Sequence, residues 1–406
     1  MALVRAGRMT ALAVAFVALN QLGVGLAVGQ TNAPESAKVR AARQLLARGK
    51  TEFAARTLAE AISDNPGDGP AYLLLGEMLN DDNRSGEAVE PLTDAVRLLP
   101  DSAEAHNALG EALSNLNALG AARAEFERAL QLAPKMALAH LNLGIILAQT
   151  EELARAAEHL DFAIAKLGAT PDAARAHYLR AKVYTDLSQV ERARAELQVA
   201  VKIAPDFAEA WSDLGEARKT LLDDAGALTA FERAVALSPS DPVALSRLGN
   251  ELYREGKIRQ AILELDKASR INPKDQTTLN SLQAALRADG QTARADQVKA
   301  DLVAVLRERD QSTQNEFSAI RLNEEGAKLE KAGDMKGALD KYRQGLQLDP
   351  EDIGIRVDLA RALLRQGQWK EGLSQLAESM QRRPGDPILK AAWDDALRQA
   401  PPGSWP

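Results

Sequence analysis

Apolar and polar residues alternate along this chain with the period of an α-helix. In the segment 119–133, apolar residues recur at i, i+4, i+7, i+8 and i+11, and they are Ala122, Phe126, Ala129, Leu130 and Ala133. Arginine, glutamate and glutamine fall between them, so one face of the segment is apolar and the other is polar. The pattern continues through most of the chain and predicts amphipathic helices in an all-α fold.

The helical pattern repeats every 34 residues. Prolines mark the period at positions 66, 100 and 134, then at 205, 239 and 273, then at 350 and 384. With these prolines at position 32 of each repeat, position 8 is Gly or Ala in nine of ten repeats, and position 20 is Ala or Gly in all ten. Position 24 is a large apolar residue in nine of the ten. Because a small residue facing a large one lets helices approach closely, each repeat is predicted to be a hairpin of two helices, A and B.

Turn residues fall between the two predicted helices of each repeat. Position 15 carries residues that accept the left-handed backbone ending a helix in seven repeats, namely Gly49, Asn83, Asn117, Gly256, Gly290, Gly333 and Gly367. After the proline, pairs such as Asp101 with Glu104 can cap the start of the next helix. Turn, capping and packing signals therefore predict the same hairpins.

The best copies of this pattern resemble the tetratricopeptide repeat. One copy carries its signature residues at Trp211, Leu214, Gly215, Ala227, Phe231, Ala234 and Pro239. The resemblance covers residues 35–386 and is to the bacterial exported or periplasmic type of this family. It implies a right-handed superhelical solenoid of about ten helical hairpins, with a C-terminal capping helix at 387–400 and a tail at 401–406.

Repeat 8 departs from the pattern. It has Gln283 at the small position, Lys299 at the large apolar position and Arg307 in place of the proline. Because neither Gly nor Pro occurs from Gln291 to Glu325, its helix B is predicted to run long before a polar break near residues 311–315. The predicted organisation is repeats 1–8 at 35–309 and repeats 9–10 at 310–386, with a joint that is either a functional hinge or a result of sequence decay.

The first 29 residues differ in kind from the rest. Arg5 and Arg8 precede an apolar run from Met9 to Leu19, and small residues at 27 and 29 fit a cleavage site before Gln30. Residues 1–29 are therefore predicted to be a secretory signal peptide, or else an uncleaved N-terminal anchor. Either alternative places the body outside the cytoplasm, periplasmic or secreted, and a membrane is a partner only if the segment stays uncleaved.

Composition and charge exclude several classes of function. The formal net charge is −7 and no dense Lys/Arg run is present, so nucleic acid is not an expected partner. The chain has no cysteine, which removes disulfides, thiolate nucleophiles and Cys-ligated metals. No nucleophile-plus-base motif, Walker loop or dinucleotide fingerprint occurs. We therefore expect no enzyme activity, no cofactor and no catalytic residues.

Three of the four histidines stand at position 4 of consecutive repeats, and they are His106, His140 and His177. A metal ladder is one interpretation of this spacing. However, successive repeats stack about 10 Å apart, whereas a His nitrogen lies about 2.1 Å from its metal. We therefore expect no metal site, and we interpret the histidines as packing residues with a polar tip.

In proteins of this type the A helices line a concave groove. Here positions 2, 5, 6, 9, 12 and 13 of repeats 3–7 supply Asn107, Glu111, Asn142, Tyr178, Lys182, Asp213, Glu216, Arg247, Asn250 and Tyr253. Such amide, charged and aromatic groups suit an extended peptide. The resulting hypothesis is a non-catalytic interaction scaffold of the cell envelope that binds a partner protein or peptide. The alternative is an enzyme-associated or carbohydrate-binding subunit in exopolysaccharide or secretion assembly.

Overall fold

The computed structural model describes residues 35–383 and 386–401, and across those residues it contains helices and no strands. The helices are α1 (Ala37–Leu46), α2 (Thr51–Asp64), α3 (Gly69–Asp81), α4 (Ser85–Leu98), α5 (Ala103–Asn115), α6 (Leu119–Leu132), α7 (Ala137–Gln149), α8 (Leu153–Leu167), α9 (Pro171–Asp186), α10 (Val190–Ile203), α11 (Ala208–Thr220), α12 (Asp224–Leu237), α13 (Pro242–Arg254), α14 (Ile258–Ile271), α15 (Gln276–Ala288), α16 (Thr292–Lys331), α17 (Met335–Leu348), α18 (Ile353–Arg365), α19 (Trp369–Arg382) and α20 (Pro387–Gln399). The predicted all-α fold is confirmed.

The chain divides into two compact units, one ending at Asp296 and the other beginning at Gln297. In the N-terminal unit each odd-numbered helix from α1 to α13 packs against the next even-numbered helix, which gives the predicted hairpins. Each hairpin also contacts the next, and most successive A helices touch one another. The hairpins of this unit therefore stack into a solenoid, in which the A helices lie side by side.

Small residues at position 8 allow helix A and helix B of each hairpin to pack closely. A Cβ atom added to Gly110 would lie 2.7 Å from Phe126 Cε1, and one added to Gly215 would lie 2.5 Å from Phe231 Cε1. Heavy atoms in contact normally stay beyond about 3.5 Å, so no larger residue fits without displacing the ring. In the C-terminal unit Gly326 meets Tyr342 in the same way. The predicted packing of small against large residues is confirmed.

The turn between helix A and helix B needs a left-handed residue in every repeat that follows the pattern. The seven Gly and Asn residues predicted for this turn include Gly256 at φ 75° and Asn83 at φ 59°. Three repeats place an unfavourable residue at the same position, and these are Glu151, Ser188 and Leu222, all with φ near 60°. Leu222 is also 82% exposed. Hairpin packing therefore imposes a left-handed turn even on residues for which a positive φ is sterically unfavourable.

Helix α16 corrects one expectation. It runs without interruption from Thr292 to Lys331, through the polar break expected near residues 311–315. The helix continues because no Gly or Pro interrupts it, and because the Gln311 amide donates to Asn315 Oδ1 at 2.9 Å, one helical turn along. The predicted boundary after residue 309 falls inside this helix.

The last helix in the described part of the chain, α20, covers apolar side chains of the helix before it. Leu389 and Ala392 of α20 are buried against Leu373 and Leu376 of α19. This is the predicted capping helix. The predicted signal segment 1–29 and residues 402–406 of the tail lie outside the described residues. Among the residues described, no helix is both long enough and apolar enough to cross a membrane.

Candidate partner-binding groove

The ten predicted groove residues all lie on A helices of the N-terminal unit. Asn107 and Glu111 are on α5, and Asn142 is on α7. The remaining seven follow on three helices: Tyr178 and Lys182 on α9, Asp213 and Glu216 on α11, and Arg247, Asn250 and Tyr253 on α13. Because the chain repeats with a nearly constant period, equivalent positions on neighbouring A helices come side by side.

Two amides in this row bond to each other. Asn142 Nδ2 donates to Asn107 Oδ1 at 3.2 Å, and both residues are buried. A buried amide without a partner is costly, so this bond holds α5 and α7 together. Asn107 and Asn142 therefore form part of the groove wall.

Lys182, Asp213 and Arg247 form a charged cluster across α9, α11 and α13, which we call the balanced region. Arg247 Nη1 donates to Asp213 Oδ1 at 2.8 Å, and Lys182 Nζ lies 3.6 Å from Asp213 Oδ2. Burial acts to raise the pKa of Asp213, but the charges of Lys182 and Arg247 outweigh it and hold the pKa below its usual value. The carboxylate is therefore ionised and paired with two cations.

Tyr178 supports the balanced region from α9. Its side chain is buried, its ring lies 4.9 Å from that of Phe207, and its hydroxyl donates to Asp213. Burial, together with the negative charge of Asp213, raises the pKa of Tyr178 well above its usual value. Tyr178 therefore stays neutral and acts as a donor within the wall.

The opposite charge balance occurs on α3 and α5. Glu77, Asp81 and Glu111 influence one another there, and we call these three residues the acidic region. Burial raises the pKa of Glu77 to about 7, and Arg43 offsets this only in part. Burial also raises the pKa of Glu111, with Arg175 of α9 as the main opposing charge. Carboxyl groups in this region therefore keep their protons to unusually high pH.

An open pocket of about 450 Å³ lies beside the balanced region. Three predicted residues line it, Glu216, Arg247 and Asn250. Two apolar residues at the start of α13, Pro242 and Val243, also line it, and the rest of its lining is polar: Lys219, Ser246, Asn272, Asp275, Thr277 and Thr278. A pocket of this size accepts one or two side chains of a peptide.

Tyr253 follows Asn250 on α13 by three residues and is half-exposed. Within the described part of the chain, the side chains of Asn250 and Tyr253 have no hydrogen-bond partner, while Glu216 accepts from Lys219 at 2.9 Å. The ten residues thus divide into a bonded wall and a smaller set still open to a ligand. Their role in binding stays a prediction.

Sequence reasoning missed several polar residues of the groove. Arg175 stands at position 2, Ser212 and Ser246 at position 5, and Lys219 at position 12. Ser212 Oγ accepts from Arg247 Nη1 at 2.7 Å, and Thr278 Oγ1 donates to Ser246 Oγ at 2.9 Å. All four residues occupy positions already assigned to the groove, so a complete reading of the register would have found them.

The position-4 residues bond to the turn between repeats. His106, His140 and Trp211 each place a ring nitrogen within 3.2 Å of a proline carbonyl, on Pro100, Pro134 and Pro205. For His106 and His140 these contacts agree with the interpretation as packing residues with a polar tip, whereas His177 Nδ1 lies 2.6 Å from Glu196 Oε2 instead. Within the residues that the structure describes, no group of three His, Asp or Glu side chains could hold a metal ion.

The family model of the tetratricopeptide repeat matches most of the N-terminal unit, in overlapping segments at 39–103, 81–137, 107–166, 141–206 and 189–242. A second model with the same description matches residues 329–392. The segments of the first model alone cover half of the chain.

Two curated relatives are similar over part of their length. Cellulose synthase operon protein C of Pseudomonas fluorescens is 28% identical over 190 residues, which is 47% of this chain and 12% of that protein. Cytochrome c-type biogenesis protein CycH of Pseudomonas aeruginosa is 38% identical over 96 residues, 23% of this chain and 24% of that protein. The chain therefore spans a quarter or less of each relative.

Solved structures resemble parts of the chain. PilF of Pseudomonas aeruginosa is 16% identical with a TM-score of 0.49, and the match covers 52% of this chain and 95% of that one. YrrB, described as a tetratricopeptide repeat protein with an unusual peptide-binding site, is 24% identical with a TM-score of 0.40, covering 48% of this chain and 98% of that one. From the repeats and the family matches together, the chain belongs to the tetratricopeptide repeat family.

Proposed function

We propose that the chain is a non-catalytic scaffold that binds a partner protein, or an extended peptide of that protein, along the A helices α5, α7, α9, α11 and α13. Tetratricopeptide repeat proteins generally bind protein partners. The groove is the surface on which such binding takes place in a stacked hairpin array.

The observation that carries this proposal is the pocket of about 450 Å³ between α11, α13 and α15. Its lining mixes donors and acceptors, and Asn250 is half-exposed without a hydrogen-bond partner in the described residues. A peptide backbone needs such groups at regular steps, because each residue brings one donor and one acceptor. Asn250 and Tyr253, one helical turn apart, supply two such hydrogen-bonding groups.

The bonded residues have a different part in the proposal. Asn107, Asn142 and Tyr178 are buried and shape the wall, so their loss would alter the groove indirectly. Glu216, Asn250 and Tyr253 are the predicted residues that a ligand would contact directly. Substitutions of Glu216, Asn250 or Tyr253 should therefore weaken binding without unfolding the protein, whereas substitutions of the buried residues would affect both.

We place this activity in the cell envelope, as the predicted signal segment and the two relatives suggest. One relative is named for the cellulose synthase operon and the other for cytochrome c-type biogenesis. Both names fit a scaffold in the assembly of a larger machinery. The partner would be one component of such an assembly outside the cytoplasm.

Quantitative affinity capture from the native envelope tests the groove. The bait is the wild type, a groove variant with Asn250→Ala and Tyr253→Ala, or a control variant with Gln260→Ala and Arg270→Ala. The control residues are exposed on α14, the helix B of the same repeat. We expect a partner that the wild type and the control retain and that the groove variant loses by at least tenfold. Equal capture by all three baits would show that the groove assignment is wrong.

The relative from the cellulose synthase operon favours a second candidate, a carbohydrate-binding subunit in exopolysaccharide assembly. Tyr253 would then stack on a sugar ring, since aromatic faces are suited to that contact. Calorimetric titration with β-1,4-linked glucose oligosaccharides distinguishes the candidates. Saturable binding that Tyr253→Ala abolishes would favour the carbohydrate, and no heat of binding would exclude it.

A further inference from the structure

The middle of α16 exposes apolar side chains without a partner in the described residues. Phe317 is 70% exposed, Ile320 is 43% exposed and Val303 is 36% exposed. The residues around them, from 307 to 314, are all exposed as well. Phe317 is thus more exposed than Phe53, which is 58% exposed. Exposed apolar groups that share one face often mark an interaction surface.

These side chains follow the spacing of a coiled coil. Val303, Leu306, Asp310, Thr313, Phe317 and Ile320 stand alternately three and four residues apart. At 3.6 residues per turn they lie within a stripe of roughly 100° along the helix. We call these six residues the α16 stripe. It has two apolar residues at each end and two polar residues in the middle.

We infer that the α16 stripe binds the same stripe of a second copy of this chain, with the two helices antiparallel and the twofold axis between Gln311 and Ser312. In this register Val303 meets Ile320 of the second copy, and Leu306 meets Phe317 of the second copy. Asp310 then faces Thr313 of the second copy, whose hydroxyl can donate to the carboxylate. Each apolar residue therefore meets an apolar one, and each polar residue a polar one.

Charge complementarity also favours a second copy in this orientation. Arg309 and Glu316 flank the stripe on the same side, and an antiparallel pair brings Arg309 of each copy to Glu316 of the other. A parallel pair would instead place the two Asp310 carboxylates against each other at the core, which is costly. The sequence of this helix is thus self-complementary in one orientation.

The size of the contact sets its strength. The stripe is about 27 Å long at 1.5 Å per residue, so the pair buries on the order of 1,000 Å² in total, near the lower limit of specific interfaces. We therefore expect a dimer that dissociates at concentrations on the order of micromolar. The stripe shares no residue with the groove, so the inference is independent of the proposed function.

Sedimentation velocity on the protein as purified from its native host tests the inference, at concentrations between about 1 and 100 µM. We expect the wild-type mass to rise from monomer to dimer with concentration, and Phe317→Glu to stay monomeric. Ser312→Glu is the matched control, because it adds the same charge roughly 130° away round the helix. It should behave as the wild type does. A wild type that stays monomeric at 100 µM would overturn the inference.

Charge exchange tests the register without touching an apolar residue. Arg309→Glu or Glu316→Arg alone should raise the dissociation constant at least tenfold, because like charges then meet across the pair. The double exchange restores opposite charges and should restore the wild-type value. If the double variant stays as weak as the singles, the antiparallel register is wrong. Far-UV circular dichroism, unchanged in all four proteins, excludes unfolding as the cause.

Disulfide cross-linking gives a second measure of register. Since the chain has no cysteine, Asp310→Cys with Thr313→Cys introduces the only thiols. Oxidation should link two chains through paired bonds and give a dimer on non-reducing gels. Gln311→Cys with Asn315→Cys, on the outer face, is the control and should remain unlinked. Equal cross-linking of both pairs would contradict the proposed face.

Discussion

The acidic region and the balanced region occupy the same groove and differ mainly in their cations. In the balanced region, Asp213 lies between Lys182 and Arg247 and has a pKa below its usual value. In the acidic region, burial raises the pKa of Glu77 to about 7, because Arg43 offsets it only in part and the other nearby charges are carboxyl groups that raise it further. Both carboxyl groups stand on A helices, so the fold does not cause the difference.

In a repeat protein, the residues that fix the position of a groove side chain are different from the residue that determines its charge. The small residues at positions 8 and 20 fix where each groove side chain lies, and the residue type at that place decides its charge state. A cationic group of a ligand would lower the pKa of Glu77 by restoring the missing partner. The balanced region already contains its counterions and offers hydrogen bonds instead. The two regions of one groove therefore suit different parts of a ligand.

Removing the carboxyl group of the balanced region should have the largest effect. Asp213→Ala leaves Lys182 and Arg247 close together without the anion that pairs them, and it leaves the Tyr178 hydroxyl without its acceptor. We expect a loss of about 3 kcal/mol in the free energy of unfolding at pH 7, measured by urea denaturation followed by circular dichroism.

The control for this change keeps the shape and removes the charge. Asp213→Asn can still accept from Tyr178 and Arg247, so it should lose about half as much stability as Asp213→Ala. If both variants were as stable as the wild type, the cluster would not be a stabilising feature of the balanced region.

Overpacking should affect the two parts of the groove equally. Gly110 precedes Glu111 of the acidic region, and Gly215 follows Asp213 of the balanced region by two residues. A Cβ added to either glycine would lie under 3 Å from a phenylalanine ring. Gly110→Leu and Gly215→Leu should each cost about 2 kcal/mol by thermal or urea denaturation, within the usual cost of overpacking. Gly120→Leu, where no heavy atom lies within 4 Å of the added Cβ, should leave the melting temperature unchanged or raise it. Unequal losses at Gly110 and Gly215 would mean that packing as well as charge distinguishes the regions.

The sequence alone predicted the hairpins because their signals are local and repeated. Gly110 facing Phe126 recurs as Gly215 facing Phe231, and one period of 34 residues located both. The left-handed turns at Gly256 and Asn83 followed from residue type in the same way. Agreement among many copies thus compensates for the weakness of each single signal.

Pairings between groove side chains could not be predicted in the same way. The bond between Asn107 and Asn142 depends on which rotamers neighbouring helices permit, and periodicity carries no information about that. The continuity of α16 is hard to predict because a run of polar residues near Gln311 is also typical of a helix end, although none of them is Gly or Pro. Leu222 adopts a left-handed turn because the flanking helices impose it.

Removing a carboxyl group from the acidic region should increase the free energy of unfolding, and this change should be the smallest of the three. The folded state holds the proton of Glu77 up to about pH 7, whereas an unfolded chain releases it near the usual value of 4.5. The folded state thus binds more protons between these limits, so Glu77 makes the protein less stable as pH rises through them. Glu77→Gln removes this dependence. At pH 8 the variant should be more stable by about 1 kcal/mol, a figure reduced because solvent still reaches the half-buried side chain.

The pH dependence of the difference in stability between wild type and Glu77→Gln distinguishes an effect of charge from an effect of packing. Urea denaturation of wild type and Glu77→Gln at pH 4.5, 6 and 8 should show a gain that is near zero at pH 4.5 and largest at pH 8. Glu87→Gln is the matched control, because this exposed carboxylate pairs with Arg84, which lowers its pKa. Its substitution should give no gain at pH 8. A gain for Glu77→Gln that is equal at all three pH values would have to come from packing, and the acidic region would then be no different in charge from the balanced one.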